Sequence, residues 1–83
     1  MSVYKVYIIY SQNLNRYYIG YTVDIVKRLE EHNAGISAYT SKATDWILKW
    51  QKEFESRELA MEEELRIKAK KSRKYLEFLI LQG

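Results

Sequence analysis

The sequence predicts an α+β domain in which three strands and three helices follow in the order β-β-α-β-α-α. Two observations carry this. Val, Ile and Tyr crowd two runs within the first 22 residues, and beyond them the apolar residues change between helical and strand-like spacing, with Asp, Ser or Gly at the changes. A chain of 83 residues suffices for one domain, residues 1–83, and is too short for two.

Val3 to Tyr10 is rich in β-branched and aromatic residues and holds neither Gly nor Pro, which predicts a strand. Ser11 to Asn15 is polar, and Arg16 to Thr22 resumes the aromatic pattern, so the two runs read as an antiparallel hairpin closed by about five residues. From Asp24 to Asn33 the period becomes helical. Ile25, Val26 and Leu29 share one arc, Asp24 favours the positive N-terminal end, and Gly35 is a stop signal. Ile36 to Thr44 is small, polar and unperiodic, and is expected to be the main surface loop, with Tyr39, Thr40, Ser41 and Lys42 in it. Trp46, Leu48 and Trp50 alternate with Ile47, Lys49 and Gln51, which predicts a third strand with one apolar face, ending near Phe54. Ser56 caps a helix to about Lys70, and Ser72 caps a last helix that includes Phe78 to Leu81.

Composition narrows the chemistry. Without cysteine there is no disulfide or thiolate zinc site, and with His32 as the single histidine no histidine cluster can hold a metal. Any ion would be held by oxygen, which suits magnesium or manganese. Fourteen Lys and Arg against eleven Asp and Glu give a charge of +3, informative only where the basic residues are grouped. They are grouped at Lys68, Lys70, Lys71, Arg73 and Lys74, at the joint of the last two helices, a pattern suited to a phosphate backbone or equally to a solvated face. No stretch approaches the ~20 apolar residues of a membrane span or resembles a secretory leader. The expected setting is soluble and cytoplasmic.

Periodicity singles out three polar residues. At about 100° per residue, Ala60, Met61, Leu65 and Ile67 share a broad arc with Leu59, Glu64 falls inside it, and Glu62, Glu63 and Arg66 fall opposite. A carboxylate facing the protein body must be paired or bind a cation. A salt bridge to a nearby Lys or Arg satisfies this as well as a metal does. Arg28 and His32 stand four residues apart on one helix face beside Ile25. Arg28 could offer its planar fork to a phosphate oxygen or simply lie along the surface, and His32 alone reads as a capping or surface residue.

Val6-Tyr7-Ile8 followed by Tyr18-Ile19-Gly20 resembles the paired signatures of the GIY-YIG nuclease family. The likeness extends through Asp24 to Leu29 with Glu31-His32-Asn33, and through Phe54-Glu55-Ser56 with Ala60 to Lys68, so it covers essentially the whole chain. The chain is most similar to small stand-alone members, which resemble the N-terminal domain of the excision-repair incision subunit, and this implies a link to DNA repair. The resemblance implies a three-stranded antiparallel sheet flanked by helices, and metal-dependent hydrolysis of a DNA phosphodiester by an endonuclease. It implies a catalytic set of Tyr7, Tyr18, Arg28, His32 and Glu64. Glu64 would hold Mg2+ or Mn2+, Arg28 would stabilise the phosphate, and the tyrosines would position or activate water. Gly20 would admit the substrate or a packed helix, and Lys42 would join Lys68, Lys70, Lys71, Arg73 and Lys74 in binding nucleic acid. A monomer or a homodimer would satisfy this reading. The alternative is a binding module of the same fold with little or no turnover. Two departures stand out: Lys5-Val6-Tyr7 replaces Gly-Ile-Tyr, and no asparagine follows Asn33, where many active members have one near the site.

Overall fold

The computed structural model describes residues 3–82. Its elements are β1 (Tyr4–Ser11), β2 (Arg16–Thr22), α1 (Ile25–Asn33), β3 (Ile47–Phe54), α2 (Arg57–Ala69) and α3 (Arg73–Gln82), the order expected. The sheet is antiparallel with β1 in the middle, flanked by β2 and β3. Among the described residues no helix is long and apolar enough to cross a membrane.

The unbroken apolar run of β1 is explained by burial on both faces. Val6 and Ile8 point to one side, where Ala60 and Ile67 of α2 and Leu76 of α3 cover them. Tyr7 and Ile9 point to the other, against Ile25 of α1 and against Ala43 and Trp46 of the segment before β3. A central strand with helices on one face and a helix plus a long loop on the other cannot slip register without moving Tyr7 or Ile8 into the wrong layer.

Side-chain caps mark the helix starts. Asp24 accepts from the Lys27 amide and Ser56 from the Leu59 amide, while the Tyr75 amide donates to Ser72. At the end of α1, Gly35 takes the left-handed conformation (φ 78°), its amide reaching His32 O and that of Ile36 reaching Glu31 O. This is the paired closure that a glycine just past a helix permits.

Several boundaries and faces differ from expectation. Val3 precedes β1, Ser11 belongs to it, and β3 begins one residue after Trp46. Ser11 leaves the loop because its hydroxyl is buried and donates to Asp45 Oδ1 at 2.6 Å. The single apolar face expected of β3 is split. Ile8 pairs with Trp50 and Ile9 with Leu48, so Lys49 is an extra residue, and this bulge turns Trp50 towards α2 and α3 while Trp46 and Leu48 face α1. Val26 is 68% exposed, because α1 meets the sheet through Ile25 and His32 alone among its fully buried residues. On α2 the broad arc narrows to Ala60, Glu64 and Ile67, leaving Leu59, Met61 and Leu65 exposed, while Glu63 is mostly covered beside Arg66. α2 lies across the sheet face and meets the central strand through Ala60 and Ile67, which leaves the flanks of the arc to solvent.

Gly20 lies directly across from Tyr7 in the ladder. A methyl group there would stand 2.6 Å from the Tyr7 hydroxyl oxygen and 2.8 Å from Cζ. What the missing side chain admits is therefore the ring of Tyr7, rather than the substrate or helix expected. Gly20→Ala is expected to lower stability by about 1–3 kcal/mol, the usual cost of overpacking. A urea midpoint equal to that of the wild type would refute this packing.

Candidate active site

Tyr7 crosses β2 at Gly20 and ends at α1. Its hydroxyl lies 2.8 Å from His32 Nε2, and His32 Nδ1 lies 2.6 Å from Thr40 Oγ1. Tyr7 is 1% exposed, His32 and Thr40 not at all. Burial pushes the imidazole down to about 4, with the Arg28 charge acting in the same direction, so at neutral pH the ring carries one proton. A neutral imidazole donates from one nitrogen and accepts at the other. The chain Tyr7–His32–Thr40 is therefore polar in one direction: if Tyr7 donates to Nε2, Nδ1–H donates to Thr40.

Burial also pushes the Tyr7 phenol up to about 12, against the lowering influence of Arg28, with Tyr18 and Glu64 adding to the rise. Four of the five residues expected to form the catalytic set thus act on the fifth. Arg28, on the same face of α1 as His32, donates to Glu31 at 3.0 Å and stays part-exposed. Tyr18 is closer to His32 than to Tyr7, with ring centroids at 5.1 and 6.5 Å.

Glu64 reaches this group from α2. Its side chain is 15% exposed, and Lys68 Nζ donates to its Oε2 at 2.6 Å. The same ammonium lies 5.8 Å from the centre of the Tyr18 ring. The salt bridge that periodicity left open for Glu64 is present, with Lys68 four residues on. Among the described residues no cluster of three or more His, Asp and Glu side chains could hold a metal. The donor set fits only a hard cation that keeps water and substrate oxygens for most of its positions, which is how magnesium binds.

The basic residues divide. Arg73 is held within the protein: it donates to Asn15 O and Oδ1 at 3.2 and 2.8 Å and to Glu77 at 3.3 Å, and its guanidinium lies over the rings of Tyr17 and Tyr10 at 5.2 and 5.8 Å. It fastens α3 to the hairpin turn. Lys70 lies over Tyr75 at 5.4 Å, while Lys42, Lys71 and Lys74 are exposed.

Sequence reasoning missed Thr40. A threonine in a polar, unperiodic segment reads as surface, and nothing local marks it as buried. The loop is in fact tied down. Asn33 at the end of α1 donates to Trp46 O and accepts from its amide at 3.1 and 2.7 Å, and Trp46 Nε1 donates to Thr40 O at 2.9 Å. The single histidine is likewise deep in the core rather than capping or superficial.

A family model, the GIY-YIG catalytic domain, matches residues 3–76. A UPF0213 protein of Halobacterium salinarum is 47% identical over 53 residues, covering 63% of this chain and 69% of its own. UPF0213 proteins of Streptococcus pyogenes serotypes M5 and M3 are 44% identical over 57 residues, which is 68% of this chain but 62% of theirs, so the match spans under two thirds of the streptococcal length. No solved structure gave a significant match. With the match running over residues 3–76 of 83, and with the β-β-α-β-α-α order to support it, the chain belongs to the GIY-YIG catalytic domain family, a family of nucleases.

Proposed function

We propose that this protein is a divalent-metal-dependent endonuclease that hydrolyses phosphodiester bonds of DNA. The observation that carries the reading is the buried Tyr7–His32 contact beside Arg28, with Glu64 near enough to raise the phenol's pKa. A structural tyrosine needs no buried imidazole on its hydroxyl, and a salt-bridged glutamate needs no phenol.

Hydrolysis requires a water to lose a proton as its oxygen bonds to phosphorus and the P–O bond of the leaving strand breaks. With its pKa up to about 12, Tyr7 is a phenol at rest. Burial raises the phenol and lowers the imidazole, so moving the proton from one to the other is strongly uphill in the free protein and no tyrosinate stands ready. Transfer must accompany attack: Tyr7 accepts from water while donating to Nε2, the phosphate's negative charge favours the imidazolium that forms, the leaving strand's oxygen takes a proton from solvent, and the imidazolium returns its own to solvent through Tyr7 as product departs. Nδ1–H on Thr40 holds the ring in the tautomer that leaves Nε2 free to accept. Arg28 stabilises charge growing on the phosphoryl oxygens, and Tyr18 orients phosphate or water. Glu64 would hold a magnesium or manganese ion, which when bound supplies charge neutralisation at the phosphate. Lys68, paired with Glu64 in the structure, would serve a phosphate oxygen when Glu64 holds the ion.

A second reading, a nucleic-acid-binding module with little turnover, is favoured by one observation: Lys68 already satisfies the Glu64 carboxylate.

Labelled single-stranded, duplex and branched DNA, incubated with magnesium, manganese or EDTA, is expected to be cut only with metal. Glu64→Gln should reduce the rate at least a hundredfold without weakening binding as much. Absence of cutting by the wild type on every substrate would favour the binding module. Thr40→Val should lower both stability, by about 1–3 kcal/mol for an unsatisfied buried donor, and cleavage, with Thr40→Ser restoring both; an active, stable valine variant would remove Thr40 from the scheme. Because the folded His32 pKa lies below its ordinary value, its contribution is complete above about pH 6.5 and is lost as pH falls towards 4, up to about 3 kcal/mol. Carboxylates titrate lower and His32 is the single histidine, so urea midpoints between pH 6.5 and 5 should fall in the wild type and stay level in His32→Gln. Parallel profiles would count against a buried neutral imidazole.

A further inference from the structure

Tyr39 is a large aromatic side chain left 60% exposed beside a buried polar site. Its ring lies against Tyr18, centroids 5.3 Å apart and planes 37° from parallel, so one face is supported by the protein. Tyr18 in turn lies against His32. The exposed ring is thus one aromatic contact away from the catalytic group.

Two grooves meet at this ring. One, of about 460 Å³, runs along the hairpin to the α2–α3 joint and is lined by Lys68, Lys71 and Arg73. The other, of about 720 Å³, runs between the hairpin turn and the loop before β3 and is lined by Lys42, Leu14 and Trp46. Arg16 and Tyr39 line both. Among the described residues no Asp or Glu lines either groove; Lys68 and Arg73 are paired behind the first with Glu64 and Glu77, so Arg16, Lys42 and Lys71 are the cations that face the grooves without such a pairing. Basic walls on both sides of a supported, solvent-facing aromatic ring form the arrangement that binds a single strand, phosphates along the walls and a base on the ring. A paired duplex offers no free base face to such a ring.

We propose that Tyr39 is a base-stacking subsite, flanked by Arg16 and Lys42, and that the nucleic acid this protein acts on is single-stranded or locally unpaired where it passes the catalytic group. This rests on the nucleic-acid reading above but not on turnover. A sugar or a flat drug-like ring could also stack on Tyr39, but neither explains cationic walls extending in both directions. Arg16 then contacts the phosphate next to the stacked base, and the cleaved bond lies on the Tyr18 side of it.

The test uses Glu64→Gln protein, so that nothing is cut, and a single-stranded DNA of about twelve nucleotides, within the span such grooves cover, carrying 2-aminopurine at one position in turn. Binding should quench the fluorophore at one or two positions. Adding Tyr39→Ala should abolish that quenching and weaken single-strand binding about tenfold, the ordinary loss for one stacked base, while duplex binding changes less than twofold. Tyr39→Phe should behave as the parent. Arg16→Ala should weaken binding and reduce the slope of log affinity against log salt by about one. Equal affinity for single strand and duplex, or an alanine variant that binds single strands as the parent does, would overturn the subsite even if the wild type proves to be a nuclease. Ring-dependent quenching in a protein whose wild type never cuts would leave the subsite standing and remove the hydrolytic reading alone.

Discussion

A histidine with no exposure must have both ring nitrogens satisfied within the protein, and this single requirement ties together three distant parts of the chain. Nε2 is met by Tyr7 on β1 and Nδ1 by Thr40 in the loop before β3, while the ring itself hangs from α1. Leaving either nitrogen unpaired would cost about 1–3 kcal/mol, a sizeable part of what a domain of this size has in reserve. The loop, exposed along most of its length, is therefore anchored at Thr40, and Asn33 adds a second anchor by bonding both polar groups of the Trp46 backbone. The same two bonds that hold the loop are the ones the proposed proton transfer would use.

The sheet makes this possible by an asymmetry between neighbours. A tyrosine buried in the central strand needs room for its hydroxyl, and the partner strand provides it by having no side chain at Gly20. The ring then runs across β2 to the margin of the sheet, where α1 on one face and α2 on the other both reach. Polar groups buried beneath the middle of a sheet have no exit to substrate; at the margin they can be dry on one side and open on the other. Arg28 and Glu64, each part-covered, occupy that border.

Much of this was legible in the residues. Element order followed from period changes, from the acidic Asp24 at a helix N-terminus and from caps at Ser56 and Ser72, because local charge and hydrogen bonding decide where helices start. Glu64 could be singled out because a carboxylate on the inward arc of a helix demands a partner. What was not legible depended on long-range pairing. The bulge at Lys49 leaves a regular Trp-Leu-Trp alternation in the sequence yet divides it between two faces, since register belongs to the strand pair rather than to the strand. Thr40 and the depth of His32 needed the loop's fold. Arg73 sat in a row of cations indistinguishable from it by spacing, and only the neighbouring rings of Tyr10 and Tyr17 with Asn15 make it a fastening.

The Glu64–Lys68 pair gives the proposed chemistry its resting state. A carboxylate that is 15% exposed beside a tyrosine of raised pKa would repel any ionisation of that tyrosine, and a lysine one helical turn on answers the charge without distant help. Such a pair is weak, about 0.3–0.5 kcal/mol for residues four apart on a helix, because its lysine end is 44% exposed and freely solvated. Under the proposed reading that weakness suits the site: Glu64 would hold a hard cation and Lys68 would serve a phosphate oxygen next to Tyr18, each a stronger partner than the two side chains are to one another, so the exchange would cost little. An Arg–Glu fork in the same place, with two parallel hydrogen bonds where the lysine makes one, would hold the carboxylate more firmly. The replacement Lys68→Arg, conservative in charge, is therefore expected to slow the proposed metal-dependent cleavage, by less than loss of the Glu64 carboxylate does; a rate equal to that of the wild type in the same DNA assay would refute this.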